Sequence, residues 1–190
     1  MKLWLVRHAL PLVAQGTCYG ATDLAVDPAA NAHLAAELAE RLPRLDTGMR
    51  LQMLHSPLQR CEQLAQHLQG LRPDLVSVSE PRLAEMNFGD WEGQAWSDIP
   101  EAAYAQWTAD FAQHRFGGQE CVAEFMHRVA QVWDAMLAAP RSDHVVWLTH
   151  AGVIRAATLL AQGVREVHTA QDWPKAAPGF GQWRCFNVGV

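Results

Sequence analysis

Two short apolar runs, Leu3-Trp4-Leu5-Val6 and Val145-Val146-Trp147-Leu148, stand out along the chain. Neither alternates with polar residues, the pattern of strands buried on both faces of a parallel sheet. Each gives way at once to polar residues, Arg7-His8 after the first and Thr149-His150-Ala151-Gly152 after the second. In open α/β sheets ligands gather at the carboxyl ends of the strands.

Between these runs the spacing turns helical. Asp27-Pro28 reads as N-cap and first helical residue of an Ala/Leu/Glu-rich helix reaching about Leu42, closed by Pro43. Residues 51–55 predict a second strand. Ser56-Pro57 then opens a helix to about Leu71, with Leu58, Cys61, Leu64, Ala65 and Leu68 on one face. Residues 76–79 predict a short third strand, followed by an irregular stretch over 80–98 that carries Gly89, Gly93, Trp91 and Trp96. Pro100 opens a helix to about Phe111. After Gly117-Gly118 a longer helix to about Leu137 keeps Val122, Phe125, Val129, Val132 and Met136 at helical spacing. A last helix begins near Val153, and residues 182–188 predict an edge strand. Strand, turn and helix recur without an internal repeat or low-complexity tract. The expectation is one α/β domain over 1–190, in which residues of about 80–137 form a helical and irregular insertion capping the site.

Composition narrows the function. Of 190 residues 49% are apolar, enough for a sizeable core, and 15 Lys plus Arg against 20 Asp plus Glu give a formal charge of -5. No global basic field gathers nucleic acid, so an anionic partner must be held locally. Cys18, Cys61, Cys121 and Cys185 are widely spaced with no CxxC pair, which suits free thiols of a reducing cytoplasm rather than a zinc knuckle or disulfide framework. The first apolar run is too short for a signal-peptide core or a membrane span. A cytoplasmic protein, not attached to a membrane, is expected.

A histidine directly after a strand can be held rigidly while the neighbouring arginine grips a phosphate bidentately. His150 occupies the same kind of position and precedes a helix whose N-terminal amides favour negative charge. Arg60 falls in the first turn of the helix after the second strand, near the same sheet edge. In the segment from Leu83 to Gly93, Glu85, Asp90 and Glu92 are each candidates for a general acid, and spacing does not choose among them. Trp91 and Trp96 either flank a ligand ring or fill the core. His33, His55, His67, His114, His127, His144 and His168 are scattered and read as structural. No cluster has metal-ligand spacing, so neither a metal nor another cofactor is expected.

Leu5-Val6-Arg7-His8, Ser56-Pro57-Leu58-Gln59-Arg60, Leu83-Ala84-Glu85 with Phe88-Gly89-Asp90-Trp91-Glu92-Gly93, and Thr149-His150-Ala151-Gly152 together resemble the motifs of the histidine phosphatase superfamily, also called phosphoglycerate mutase-like. The resemblance runs from Leu3 to about Arg155. It implies a three-layer α/β/α sandwich with a mostly parallel central sheet, and a phosphomonoesterase working through a phosphohistidine on a small-molecule phosphate ester. It further implies that His8 is the nucleophile, that Arg7, Arg60 and His150 bind the phosphoryl group, and that Glu85 is the proton donor. His8 must then present a neutral ring nitrogen, its other nitrogen held by an acceptor that sequence does not identify.

Within the superfamily, residues 88–99 look most like the alpha-ribazole phosphatases of cobalamin nucleotide-loop assembly, and Tyr19-Gly20 and Thr22-Asp23 suit that branch. Tyr19, Thr22, Trp91 and Trp96 become candidate substrate contacts. Broad-specificity phosphatases, phosphoglycerate mutases and sugar bisphosphatases share much of the pattern, and a silent phospho-ligand-binding module is the alternative outside enzymes. The chain departs from the family at Ala9, where Gly is usual after the nucleophile, and at Gln119, a neutral residue in a stretch resembling Gly-Gly-Glu-Ser. Oligomeric state is left open.

Overall fold

The computed structural model describes residues 1–45, 48–138 and 142–189. Five strands form one sheet: β1 (Lys2–Arg7), β2 (Leu51–His55), β3 (Ser77–Ser79), β4 (His144–Thr149) and β5 (Trp183–Asn187). Their order is β3-β2-β4-β1-β5, with β5 alone antiparallel. The helices are α1 (Pro28–Arg41), α2 (Gln59–Leu71), α3 (Glu101–Ala109), α4 (Val122–Ala138) and α5 (Ala151–Ala161).

The two uninterrupted apolar runs become the adjacent central strands β1 and β4, and their side chains alternate between two cores. Leu3, Leu5, Val145 and Trp147 meet α4 and α5 through Phe125, Val129, Trp133 and Ile154. Val6, Val146 and Leu148 meet α1 and α2 through Leu34, Leu38, Leu64 and Leu68. Covering both faces explains why these strands show no polar alternation. The result is the expected three-layer α/β/α arrangement.

Helix starts follow local chemistry. The Asp27 carboxylate caps α1 by accepting from Ala29 N at 2.8 Å, with Pro28 at the first helical position. Helix α2 begins at Gln59 rather than at Ser56-Pro57, because Leu58 is still extended. Helix α5 begins at Ala151, directly after His150 and two residues earlier than the apolar spacing suggests. The edge strands β3 and β5 are each shorter than expected, and the helix predicted from Pro100 to Phe111 ends at Ala109. Among the described residues no helix is long and apolar enough to cross a membrane.

The chain that leaves β1 turns to the α1 face, whereas α5 leaves β4 for the opposite face. Where neighbouring strands diverge in this way, a crevice opens at their carboxyl ends. Over it sits a third, smaller core in which Cys18, Ile99 and Phe116 are buried against Phe88, Trp91, Trp96, Tyr104 and Trp107.

Candidate active site

Strand register brings the two histidines together. In the β1–β4 pair Arg7 faces Thr149, so His8 and His150 leave the sheet side by side, and His8 N donates to Thr149 O at 3.1 Å. Their ring centroids lie 5.1 Å apart, and the residues are 2% and 1% exposed. The next strand adds Ser56, whose N–H donates to Leu148 O, and α2 delivers Arg60, which is wholly buried.

His8 Nδ1 lies 2.6 Å from the carbonyl oxygen of Ala9. A carbonyl only accepts, so Nδ1 carries the proton and Nε2 keeps its lone pair. Burial first, then the charges of Arg60 and Arg7, push the His8 pKa down to about 3 against the opposing pull of the Ala9 carbonyl. The ring is therefore neutral at neutral pH. The acceptor that sequence does not identify is the backbone of the departing residue itself: Ala9 is buried, has no positive φ, and supplies the same carbonyl as a glycine.

Arg60 Nε donates to His150 Nδ1 at 3.2 Å, which leaves His150 Nε2 protonated and donating to Ser56 Oγ at 2.7 Å. Burial, followed by His8 and the nearby arginines, holds the His150 pKa well below its ordinary value. Both nitrogens of His150 thus engage protein, and the ring braces Arg60. The other end of Arg60 donates to Thr22 O at 2.6 Å and Gly20 O at 2.5 Å, using three of five N–H groups. Arg7 donates through Nη1 to Pro178 O at 3.0 Å, and its guanidinium lies 3.8 Å from the Phe180 ring centroid. Its buried Nε has no acceptor.

The structure separates the three acids that spacing left open. Glu85 lines the cavity in front of the histidines, its carboxylate accepting from Gly152 N at 2.9 Å and from Met86 N at 3.1 Å. Glu92 accepts from Ala21 N, Thr22 N, Phe88 N and the Thr22 hydroxyl. Burial alone would raise the Glu92 pKa, but these hydrogen bonds together lower it, and the carboxylate ties the 20–22 loop to the 88–92 loop. Asp90 is exposed.

The cavity has a volume of about 460 Å³, within the range of small-molecule sites. Arg7, His8, Arg60, Glu85 and His150 line one part, where Phe125 also lies beside Gly152 and Glu85, and the mutually contacting rings of Phe88, Trp96, Trp107, Phe111 and Trp173 line another. Tyr19 lines it beside both arginines, with the Arg60 guanidinium 5.5 Å from its ring centroid. Of the candidate substrate contacts Tyr19 and Trp96 therefore reach the cavity. Thr22 and Trp91 do not line it: Thr22 gives its hydroxyl to Glu92, and Trp91 packs 5.9 Å from Phe116 in the aromatic core.

Sequence reasoning missed Arg155, Trp107 and Trp173 on the cavity wall and Phe180 against Arg7 and His8. Arg155 was open to detection, since it follows His150 by five residues on the helix that starts there. Of the other histidines, His55 bonds Ser77 and His144 accepts from Trp4, and none lines this cavity. Among the described residues no three His, Cys, Asp or Glu side chains stand close enough to hold a metal ion.

Known proteins share this arrangement of sequence and fold. The chain is 27% identical over 164 residues to the adenosylcobalamin/alpha-ribazole phosphatase of Salmonella typhimurium, covering 81% of this chain and 76% of that protein. It is 26% identical over 168 residues to the putative phosphoserine phosphatase 2 of Hydrogenobacter thermophilus, covering 86% and 79%. The crystal structure of the alpha-ribazole phosphatase from Shigella flexneri superposes with a TM-score of 0.79 at 24% identity, covering 100% of this chain and 91% of that one, a likeness of fold. The family model of the histidine phosphatase superfamily (branch 1) matches residues 3–174, a span that holds His8, Arg60, Glu85 and His150. The chain belongs to that superfamily and is a phosphatase-type hydrolase.

Proposed function

We propose that this protein is a metal-independent phosphomonoesterase in which His8 is the nucleophile, and that its substrate is alpha-ribazole 5'-phosphate. The observation that carries the chemistry is the hydrogen bond from His8 Nδ1 to the Ala9 carbonyl, which leaves Nε2 unprotonated between two arginines. Nε2 attacks phosphorus as the ester P–O bond breaks, and Glu85 gives its proton to the departing oxygen. Glu85, now a carboxylate, takes a proton from water; the water oxygen attacks phosphorus, the P–N bond breaks and inorganic phosphate leaves. Arg7 and Arg60 neutralise the phosphoryl oxygens, and His150 holds Arg60 in place for that task.

The aromatic end of the cavity supports the substrate. A flat benzimidazole ring stacks favourably on Trp and Phe walls, and the nucleoside links it to a phosphate lying at the histidine end. The named Salmonella relative points the same way. In this reading the cap within a single domain is the stretch before α4 that carries α3 and the third core, whereas α4 itself, expected to be part of that cap, is a layer of the sandwich. The four free cysteines suit a cytoplasmic enzyme.

Three measurements test the proposal. His8→Ala should lose several powers of ten in turnover and fail to trap a phosphoenzyme from labelled substrate; near-normal hydrolysis rejects the nucleophile. Activity of the wild type should survive chelators, and strict dependence on added divalent metal rejects the metal-free mechanism. Comparing kcat/KM for alpha-ribazole 5'-phosphate, phosphoserine and 3-phosphoglycerate decides the substrate; a preference for either small acid rejects the aromatic subsite.

A further inference from the structure

Helix α4 carries a guanidinium whose five N–H groups are all engaged at the back of Glu85. Arg128 Nε donates to Glu120 Oε1 at 2.7 Å, and Nη2 donates to Glu120 Oε2 at 3.1 Å. Nη1 donates to the carbonyls of Arg82 and Ala84, both at 2.7 Å, and Nη2 also donates to the Glu85 carbonyl at 3.0 Å. The carbonyl missing from that run, Leu83 O, accepts from the buried Thr149 hydroxyl at 2.9 Å. Four consecutive carbonyls are thus fixed from two sides, by one residue of α4 and by the last residue of β4. The Glu120 carboxylate also accepts from Asn87 N at 3.1 Å, which fixes the chain just beyond.

So much hydrogen bonding on a segment whose only regular structure is a single 3-10 turn, Pro81–Leu83, needs a reason. Backbone carbonyls at a surface loop are ordinarily satisfied by water at little cost in rigidity. Here the loop holds the single carboxylate on the phosphate end of the cavity, between α4 and the start of α5. Thr149 is the neighbour of His150 in the chain and faces Arg7 across the sheet, so its bond to Leu83 ties the acid's segment to the strand that places the histidines. A donor fork with fixed geometry suits this task, because two parallel N–H pairs define both position and orientation. The acid that meets Arg128 is Glu120, the residue after Gln119.

We infer that Arg128, seated on Glu120 and aided by Thr149, is a positioning residue for Glu85, setting the carboxyl group at the distance from the leaving oxygen that proton donation requires. The inference rests on the proposed acid role of Glu85. A misplacement of about 1 Å costs on the order of a hundredfold in such a transfer. The loss falls on esters whose leaving group needs the proton and spares those whose leaving group does not.

The test compares kcat/KM for phenyl phosphate and p-nitrophenyl phosphate in Glu85→Gln, Arg128→Met, Thr149→Val and the double variant Glu85→Gln/Arg128→Met, each checked for folding by thermal melting. This ratio covers the steps through departure of the first product. Arg128→Met should lower the phenyl phosphate value about a hundredfold and the p-nitrophenyl phosphate value less than about threefold. The double variant should be no worse than Glu85→Gln alone. Thr149→Val should show the same split to a smaller degree, and it carries the test if Arg128→Met does not fold. Equal loss on both esters, or additive loss in the double variant, overturns the positioning role while leaving Glu85 as the acid. If Glu85→Gln itself shows no split between the esters, the acid role fails and this inference falls with it.

Discussion

Gly152 N donates to Glu85 Oε2 at 2.9 Å, and a Cβ added to Gly152 would stand 2.2 Å from Oε1 of the same carboxylate. The glycine after His150-Ala151 is therefore matched to the acid 67 residues earlier in the chain. Its backbone amide holds one oxygen, and the absence of a side chain leaves room for the other.

Substituting Gly152 by Ala should displace the Glu85 carboxylate, because the nearest atom is the movable end of a side chain and not backbone. Stability should change by less than about 1 kcal/mol, as alanine suits a helix better than glycine. The kcat/KM for alpha-ribazole 5'-phosphate should fall about a hundredfold, as displacement of the proposed proton donor demands. A thermal melt and initial rates on one preparation check both statements. Loss of stability with unchanged kinetics would contradict them.

His8 should make the fold sensitive to acid. Its folded pKa of about 3 lies below its ordinary value of 6.5, so between these values the unfolded chain binds a proton that the folded chain does not. Stability attributable to this group is fully present above pH 6.5 and declines as pH falls toward 3. Its contribution to the slope is at most about 1.4 kcal/mol per pH unit. Urea unfolding of the wild type and His8→Gln at several pH values measures it. The variant should lose less stability on acidification, and parallel curves would contradict the assignment of a neutral buried ring.

Trp96 reaches the cavity and also stacks on the Phe116 core, with ring centroids 6.3 Å apart. Trp96→Leu should therefore raise KM for alpha-ribazole 5'-phosphate about tenfold through loss of ring stacking. It should leave kcat/KM for methyl phosphate within about threefold, since that ester does not reach the aromatic end. Uniform loss on both substrates would assign Trp96 to the core alone.

The legible parts of this protein are those whose environment repeats along the chain. The apolar runs at residues 3–6 and 145–148 declare strands because both faces of β1 and β4 are covered, and the spacing of Leu64, Ala65 and Leu68 declares the inner face of α2. Helix ends are less legible: Ser56-Pro57 carries a start signal, yet the backbone waits until Gln59 because Leu58 remains extended. The acid is not legible by spacing, since Glu85, Asp90 and Glu92 lie within eight residues and their fates differ only in what each meets. Glu85 meets the amide of Gly152, Glu92 meets Thr22, and Asp90 meets solvent. Arg128 and Arg155 look like ordinary helix-surface arginines until α4 and α5 are packed on the sheet.

By itself the sequence determined the strands, the placement of a histidine immediately after each of the two central ones, and the motif set that marks the superfamily. These depend on neighbours in the chain, and strand periodicity and turn chemistry act at that range. Only the tertiary structure decided that β1 and β4 are adjacent in register, which His8 nitrogen is free, and which carboxylate faces it. It also decided that aromatic side chains share one cavity with the two histidines. Each of those depends on contacts between residues tens of positions apart, where burial and hydrogen-bond geometry, and not local propensity, select the outcome.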